Sequence, residues 1–274
     1  MNKKICFILA LVLLSLMVIG TASAGLFDFL GGSDTAAGND NETLIVGFDA
    51  EFPPYGYKDD NGSYTGFDLD LAKEVCERNN WTFKAQPIDW DSKDAELDSG
   101  SIDCIWNGFT IDGRENDYLW SNPYFDNKQI FVVKSDSNIK SISDLSGKTV
   151  ETQKDSSALA ALQGDNKTIA DTFATLTEVA DYNTAFMDLE SGACDAVAMD
   201  IGVAEYEIQQ KNDTSAFSIL NESITTEKYG IGFKKGNDAL KDQVQATLDE
   251  MFKDGTVAKI AEKYGISEDA LIQP

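Results

Sequence analysis

LDSGSIDCIWNGFTIDGR, residues 97–114, is the stretch whose reading decides the fold. Leu97, Asp98 and Ser99 run into Gly100, the residue that most easily takes the left-handed conformation beyond a helix C-terminus, so a helix is expected to end here. Ile102, Cys104, Ile105 and Trp106 then form a short apolar run of the kind found in a sheet covered on both faces. The run stops at Asn107 and Gly108, and beyond it come Thr110 and Arg114. A hydroxyl and a guanidinium just past the carboxyl end of a parallel strand stand where open α/β sheets bind ligands, and the guanidinium fork matches a carboxylate. The stretch therefore reads as half of a receptor site for a small carboxylate.

The rest of the chain fits a globular receptor. Its 274 residues suffice for one large or two ordinary cores, and 42% of them are hydrophobic. Lysine and arginine number 22 against 47 acidic residues, a formal net charge of −25. That balance argues against a nucleic-acid partner and against adhesion to anionic lipid. Histidine is absent, which excludes histidine-based triads and histidine-ligated zinc, and no metal site or cofactor is expected. Cys76, Cys104 and Cys194 are widely spaced among apolar neighbours, so buried free thiols are expected rather than a disulfide.

Residues 1–24 read as an export signal: Lys3 and Lys4, an apolar run, then Ala22, Ser23 and Ala24 as a small-residue cleavage site. Residues 25–42 are rich in Gly, Asp, Asn and Ala and read as a flexible linker. Residues 43–48 are an expected strand, followed by DAEFPPYGY (49–57), where two prolines are expected to forbid regular structure. Asp68 is placed as the N-cap of a helix carrying Leu71, Ala72, Val75 and Cys76. Further on, Ser156 or Ser157 caps a helix, residues 229–233 read as one strand, and residues 240–252 as an amphipathic helix.

The opening stretch has an echo. Leu97-Asp-Ser-Gly-Ser-Ile-Asp103-Cys-Ile and Leu189-Glu-Ser-Gly-Ala-Cys-Asp195-Ala-Val share a helix end, a glycine, an aspartate and a buried strand, and the second strand closes at Met199 and Asp200. Two copies of one α/β unit point to two similar lobes.

Val46-Gly-Phe-Asp49 with Pro53 and Pro54, Gly66-Phe-Asp68-Leu-Asp70, Asp89-Trp90-Asp91, Asn107-Gly108-Phe109-Thr110, Arg114, Ser121-Asn-Pro-Tyr124 and Leu145-Ser-Gly147-Lys-Thr-Val150 together resemble the family 3 extracellular solute-binding proteins, which serve polar amino-acid ABC importers. The resemblance covers about residues 43 to 265. It implies an α/β, two-lobed, periplasmic-binding-protein-like fold of type II, with two hinge strands and a ligand cleft between the lobes. Lobe one would comprise residues 43–128 plus 227–274, and lobe two residues 129–226. It also implies roles. Arg114 would pair with the α-carboxylate of a free amino acid, helped by Thr110 and, from the other lobe, by Ser156 or the backbone at the helix start after Lys154. Asp200 would receive the α-ammonium, and Phe52 and Trp90 would sandwich the side chain. Asp49 would reach its far end, Gly108 would present backbone carbonyl, and Asn107 would line the wall. The loop from Thr110 to Arg114 is one residue shorter than the family's usual spacing.

The expected function is thus extracytoplasmic binding of a free amino acid, polar or basic side chains favoured, by a monomer that delivers it to ABC importer membrane subunits. No enzymatic activity is expected. Two alternatives stay open: a cyclohexadienyl or arogenate dehydratase-like enzyme on the same fold, with Glu51 or Glu151 as acid, and a sensory ligand-binding module.

Overall fold

The computed structural model describes residues 42–273. The expected leader, and the linker apart from its last residue, lie outside the described residues. The elements that position the site are, in chain order, β1 (Thr43–Phe48), α1 (Phe67–Asn79), β2 (Thr82–Pro87), α2 (Lys93–Ser99), β3 (Cys104–Ile105), β4 (Leu119–Trp120) and β5 (Phe125–Lys134). They continue with β6 (Thr149–Gln153), α3 (Ser157–Gln163), β7 (Thr175–Val179), α4 (Tyr182–Ser191), β8 (Ala196–Asp200) and α5 (Ile201–Gln209). Last come β9 (Phe217–Ile219), β10 (Thr225–Tyr229), β11 (Gly232–Phe233), α6 (Asp238–Lys253) and α7 (Thr256–Lys263).

Two sheets carry the fold. The first runs β2-β1-β3-β11-β4, with β1 parallel to β2 and β3. The second runs β7-β6-β8-β5-β9, with β10 also pairing β5. The chain passes from the first sheet into the second along β5 and returns along β10, and these two crossing strands pair antiparallel from Phe125↔Tyr229 to Gln129↔Thr225.

The central strands are covered on both faces, which is why β8 and the second half of β5 read as unbroken apolar runs. In β8, Val197 and Met199 face the large core that also holds α4 and α5, while Ala196 and Ala198 face a second core built on α3. In β5, Ile130 and Val132 alternate with Phe131 and Val133 between the same two cores. In the first sheet Leu44, Val46 and Phe48 pack with α1, α6 and α7, and Leu97, Ile102, Ile105 and Phe109 cover the other side. Cys76, Cys104 and Cys194 are free and buried, and burial pushes the thiols of Cys76 and Cys194 up to about 12.

The sequence echo is a structural repeat. Gly100 and Gly192 end their helices with φ of 79° and 84°. One step on, Asp103 and Asp195 make the same pair of contacts to their lobe's leading strand. The Asp103 amide donates to Ile45 O at 2.8 Å and its carboxylate accepts from Ile45 N at 2.7 Å. The Asp195 amide donates to Thr149 O at 2.9 Å and its carboxylate accepts from Thr149 N at 2.9 Å. Each aspartate thereby clamps the start of its central strand, and the far end of that strand points at the cleft.

Three local readings change. Residues 49–57 are not irregular: Glu51–Phe52 and Gly56–Lys58 pair as a ribbon, extended by Tyr64–Thr65. The prolines fall in the turn, where no ladder N–H is needed, and the Pro53-Pro54 bond is cis. Asp68 is not an N-cap, since Gly66 holds that position. Residues 229–233 are not one strand, because the chain leaves β10 at Tyr229 and enters β11 only at Gly232.

Candidate functional site

Where the ends of β3 and β8 face one another, Phe52, Trp90, Asn107, Gly108, Thr110, Arg114, Ser156 and Asp200 line one cavity, joined by Gln153 and Ser157. These are eight of the nine residues singled out from the sequence. The ninth, Asp49, lies behind Gln153, which donates to its carboxylate at 2.6 Å. The cavity holds 20 Å³, room for little more than a water, because both sides are drawn together by polar contacts. Lys93 pairs with Asp155, Lys154 with Asp91 at 2.5 Å, and Arg114 donates to the Asp155 carbonyl at 3.1 Å.

The first wall is built around Gly108. Its φ of +53° suits glycine, and a Cβ there would stand 2.8 Å from Phe52 Cε1 and 3.1 Å from Tyr229 Cε2. Its amide donates to the Asp68 carboxylate at 2.5 Å, and the Tyr124 hydroxyl donates to the other oxygen of that group at 2.8 Å. Asp68, read as a cap, is therefore the post on which the β3 exit loop is hung. Complete burial pushes its carboxyl up to about 7. Asn107 is buried and its side-chain oxygen accepts from the Asp49 amide at 2.7 Å. Asp49 itself is buried, and burial pushes its carboxyl up to about 6 against the lowering effect of the Glu51 amide and Gln153.

Phe52 packs on Tyr55 and Tyr182, and Trp90 stands edge-on to Phe109 at 5.4 Å. The shortened turn is stitched by Arg114 N donating to Ile111 O at 2.8 Å. It lays the half-buried guanidinium over the Phe109 ring at 5.4 Å, with a long contact of 3.4 Å to the Thr110 carbonyl. The planar fork thus lies along the cavity wall with donors left over.

On the opposite side Ser156 caps α3, its hydroxyl oxygen accepting from Leu159 N at 3.1 Å, while its proton goes to Thr152 Oγ1 at 3.2 Å, since Thr152 donates its own to the Ala198 carbonyl. Asp200 is buried at the end of β8. It accepts from Tyr229 Oη at 2.6 Å, Asn127 Nδ2 at 2.7 Å and Gln129 Nε2 at 2.7 Å. Burial first, and then the neighbouring carboxylate of Glu227, push its carboxyl up to about 7.

Glu227 was not singled out from the sequence. It sits on β10, is buried, and accepts from Thr110 Oγ1 at 2.9 Å and from Ser157. The available signal was its period-two spacing from Tyr229, which puts both on one face of a crossing strand. Gln153 is unmarked in its local pattern, and Ser157 is marked there only as an alternative helix cap.

A second, larger space of 710 Å³ opens beside the cavity, sharing Trp90 with it. Its lining includes the carboxylates of Asp49, Glu51, Asp89, Asp91, Glu96, Glu178 and Asp181, and one cation, Lys154, already paired with Asp91. Burial and the charge of Asp181 push the Glu51 carboxyl up, as expected where like charges crowd.

Two α/β lobes joined by paired crossing strands, with a cleft between matching strand ends, are the type II periplasmic-binding-protein fold. The chain belongs to the bacterial extracellular solute-binding proteins, family 3, whose model it matches over residues 44–267. It is 31% identical over 229 residues to the L-cystine-binding protein TcyJ of Escherichia coli (strain K12), covering 81% of this chain and 82% of that protein. Among solved structures it resembles an ABC uptake transporter substrate-binding protein from Streptococcus pneumoniae with bound histidine. The TM-score there is 0.81 at 32% identity, over 84% of this chain and 95% of the other. It also resembles an ancestral arginine-binding protein bound to arginine, with a TM-score of 0.75 at 38% identity over 82% and 98% of the two chains. Among the described residues no helix is long and apolar enough to cross a membrane.

Proposed function

We propose that this chain captures a free amino acid with a basic side chain outside the cytoplasmic membrane, after export by residues 1–24, and hands it to the membrane subunits of an ABC importer. It acts as a monomeric binder and not as an enzyme. Lobe one, residues 43–128 plus 227–274, and lobe two, residues 129–226, close over the ligand by bending at the two crossing strands.

In this reading Arg114 and the Thr110 hydroxyl take the α-carboxylate from one lobe while the Ser156 hydroxyl reaches it from the other. Asp200 takes the α-ammonium, Phe52 and Trp90 flank the side chain, Gly108 offers its carbonyl, and Asn107 holds Asp49 toward the side chain's end. All these contacts are satisfied together only when the lobes are shut, and that differential affinity is what shifts the population toward the closed form. The 20 Å³ cavity is too small for an amino acid, so in this reading the lobes part for entry and close again around the ligand less tightly than they meet here.

The observation that carries the choice of side chain is the acidic chamber beyond Trp90. Seven carboxylates around 710 Å³, with one lysine already spent on an ion pair, favour a guanidinium, ammonium or imidazolium over an anionic side chain. A thermal-shift screen against the free amino acids tests this, because a ligand that binds only the native state raises the midpoint. Arginine, lysine or histidine should give the largest shift, and a largest shift from glutamate or aspartate would overturn the charge argument.

A further inference from the structure

We propose that Glu227 completes the ammonium end of the site beside Asp200, and that Asp200, held against it, keeps a proton that the ligand's α-ammonium displaces. The inference rests on the amino-acid reading above and adds to it a ligand-contacting residue and a proton exchanged for the ligand.

The geometry is that of an acid pair. Asp200 Oδ1 and Glu227 Oε1 both accept from the same two amide nitrogens, Asn127 Nδ2 at 2.7 and 2.8 Å and Gln129 Nε2 at 2.7 and 2.8 Å. Two oxygens that share two donors are close neighbours, and both side chains are buried, with 4% exposure each. Two full negative charges in such a place repel strongly, and one is relieved by retaining a proton. Among the described residues the donors to the two carboxylates are neutral amides and hydroxyls, and no cation forms an ion pair with either. From β10 the pair is faced by Tyr229, from the ribbon after β1 by Tyr55, and from α4 by Tyr182. Asp68 and Glu205, which act on the same Tyr55, add only negative charge. Arg114 gives its hydrogen bonds to the Thr110 and Asp155 carbonyls, and Lys128 and Lys228 are exposed on the other faces of β5 and β10.

A second observation marks the place as short of donors. Asn127 Oδ1 and Gln129 Oε1, the carbonyl ends of the two amides that serve the pair, are buried without a hydrogen-bond partner. Buried acceptors of this kind are costly unless a donor reaches them. An ammonium seated against Asp200, which lines the cavity, brings three N–H donors and a positive charge to the edge of a buried cluster short of both. Its arrival lets Asp200 ionise: the Asp200 O–H bond breaks, the proton goes to solvent, and the carboxylate remains facing R–NH3+. Burial, which pushes the Asp200 carboxyl up to about 7, places the exchange in the neutral range.

The test is titration calorimetry of the intact protein with L-arginine, L-lysine, L-histidine, L-glutamine and L-cystine at several pH values, in buffers of different ionisation enthalpy. At pH 6 about one proton should be released per ligand bound. The apparent Kd should tighten toward tenfold per pH unit below the Asp200 step near 7 and level off above about pH 8. In Glu227→Gln the proton release at pH 6 should fall and the profile move to lower pH, since burial of Asp200 remains while the neighbouring charge is gone, with binding about tenfold weaker than the parent at pH 8 and within about threefold at pH 5.5. Binding by the parent with no proton release at pH 6, or an unchanged pH profile in a folded Glu227→Gln, would overturn the proposal alone. No binding of any of the five would overturn the amino-acid reading, and the proposal with it.

Discussion

Gly108→Ala is the substitution that ties the fold to the site. The alanine would have to hold φ near +53°, which costs an L-residue about 1 to 2 kcal/mol. Its Cβ would also stand 2.8 Å from Phe52 Cε1. Phe52 has nowhere to go, being 7% exposed and packed on Tyr55 and Tyr182, so overpacking adds about 1 to 3 kcal/mol. The sum is about 2 to 5 kcal/mol, measured as the loss in urea-unfolding free energy without added amino acid. Gly100→Ala separates the two contributions: its φ is +79° but nothing lies within 4 Å of the new Cβ, so only the backbone cost of about 1 to 2 kcal/mol applies. Displacing Phe52 should also weaken binding at least about tenfold, whereas Gly100→Ala should leave affinity unchanged. A Gly108→Ala protein no less stable than Gly100→Ala, and binding as well, would refute the steric reasoning.

Other outcomes follow from the same contacts. Arg114→Ala leaves the ligand carboxylate poorly paired and should cost about 2 to 5 kcal/mol of binding, roughly 30-fold to several-thousandfold in Kd, with stability changed by less than about 1 kcal/mol because the side chain is half-exposed and its contacts long. Calorimetry beside a melting curve checks both halves. Asp103→Ala and Asp195→Ala each strand one backbone amide at the equivalent place in the two lobes, and each should cost about 1 to 3 kcal/mol in chemical unfolding; a loss in one lobe only would break the equivalence. Buried Asp49, Asp68 and Asp200 have carboxyls raised from 3.8 to about 6, 7 and 7, so the folded state binds protons that the unfolded state releases. Their stabilisation is complete below about pH 4 and is lost as pH rises through 6 to 7, about 3 kcal/mol at most for Asp49 alone. The melting midpoint should therefore rise as pH falls from 8 to 5.5, less so in Asp49→Asn, and a midpoint that stays flat or falls would contradict the assignment.

Much of this architecture is legible in the chain because it depends on local rules. A glycine after Leu97 or Leu189 ends a helix through φ alone, and an apolar run such as residues 196–199 declares burial on both faces. The same rules place Asp200, Thr110 and Arg114 at strand ends. What stayed hidden depends on tertiary contact. Asp68 looks like a cap by its position ahead of an apolar face, yet its partners are 40 and 56 residues away, at Gly108 and Tyr124. Glu227 resembles an ordinary charge on a hinge strand until β10 pairs with β5 and brings it beside Asn127, Gln129 and Asp200. The strand break between Tyr229 and Gly232 is likewise set by the crossing between sheets and not by propensity.

The division of labour between the two strand ends is tested most directly by pruning the ligand. For the amino acid that gives the largest thermal shift, calorimetry compares three compounds: the parent, the amine lacking its α-carboxyl group, and the acid lacking its α-amino group. If Arg114 and Thr110 read the carboxylate while Asp200 reads the ammonium, each pruned compound binds about 100-fold weaker or worse. Arg114→Ala then no longer distinguishes the parent from the decarboxylated amine. A pruned compound that binds the unaltered protein as tightly as its parent would contradict the assignment of that end.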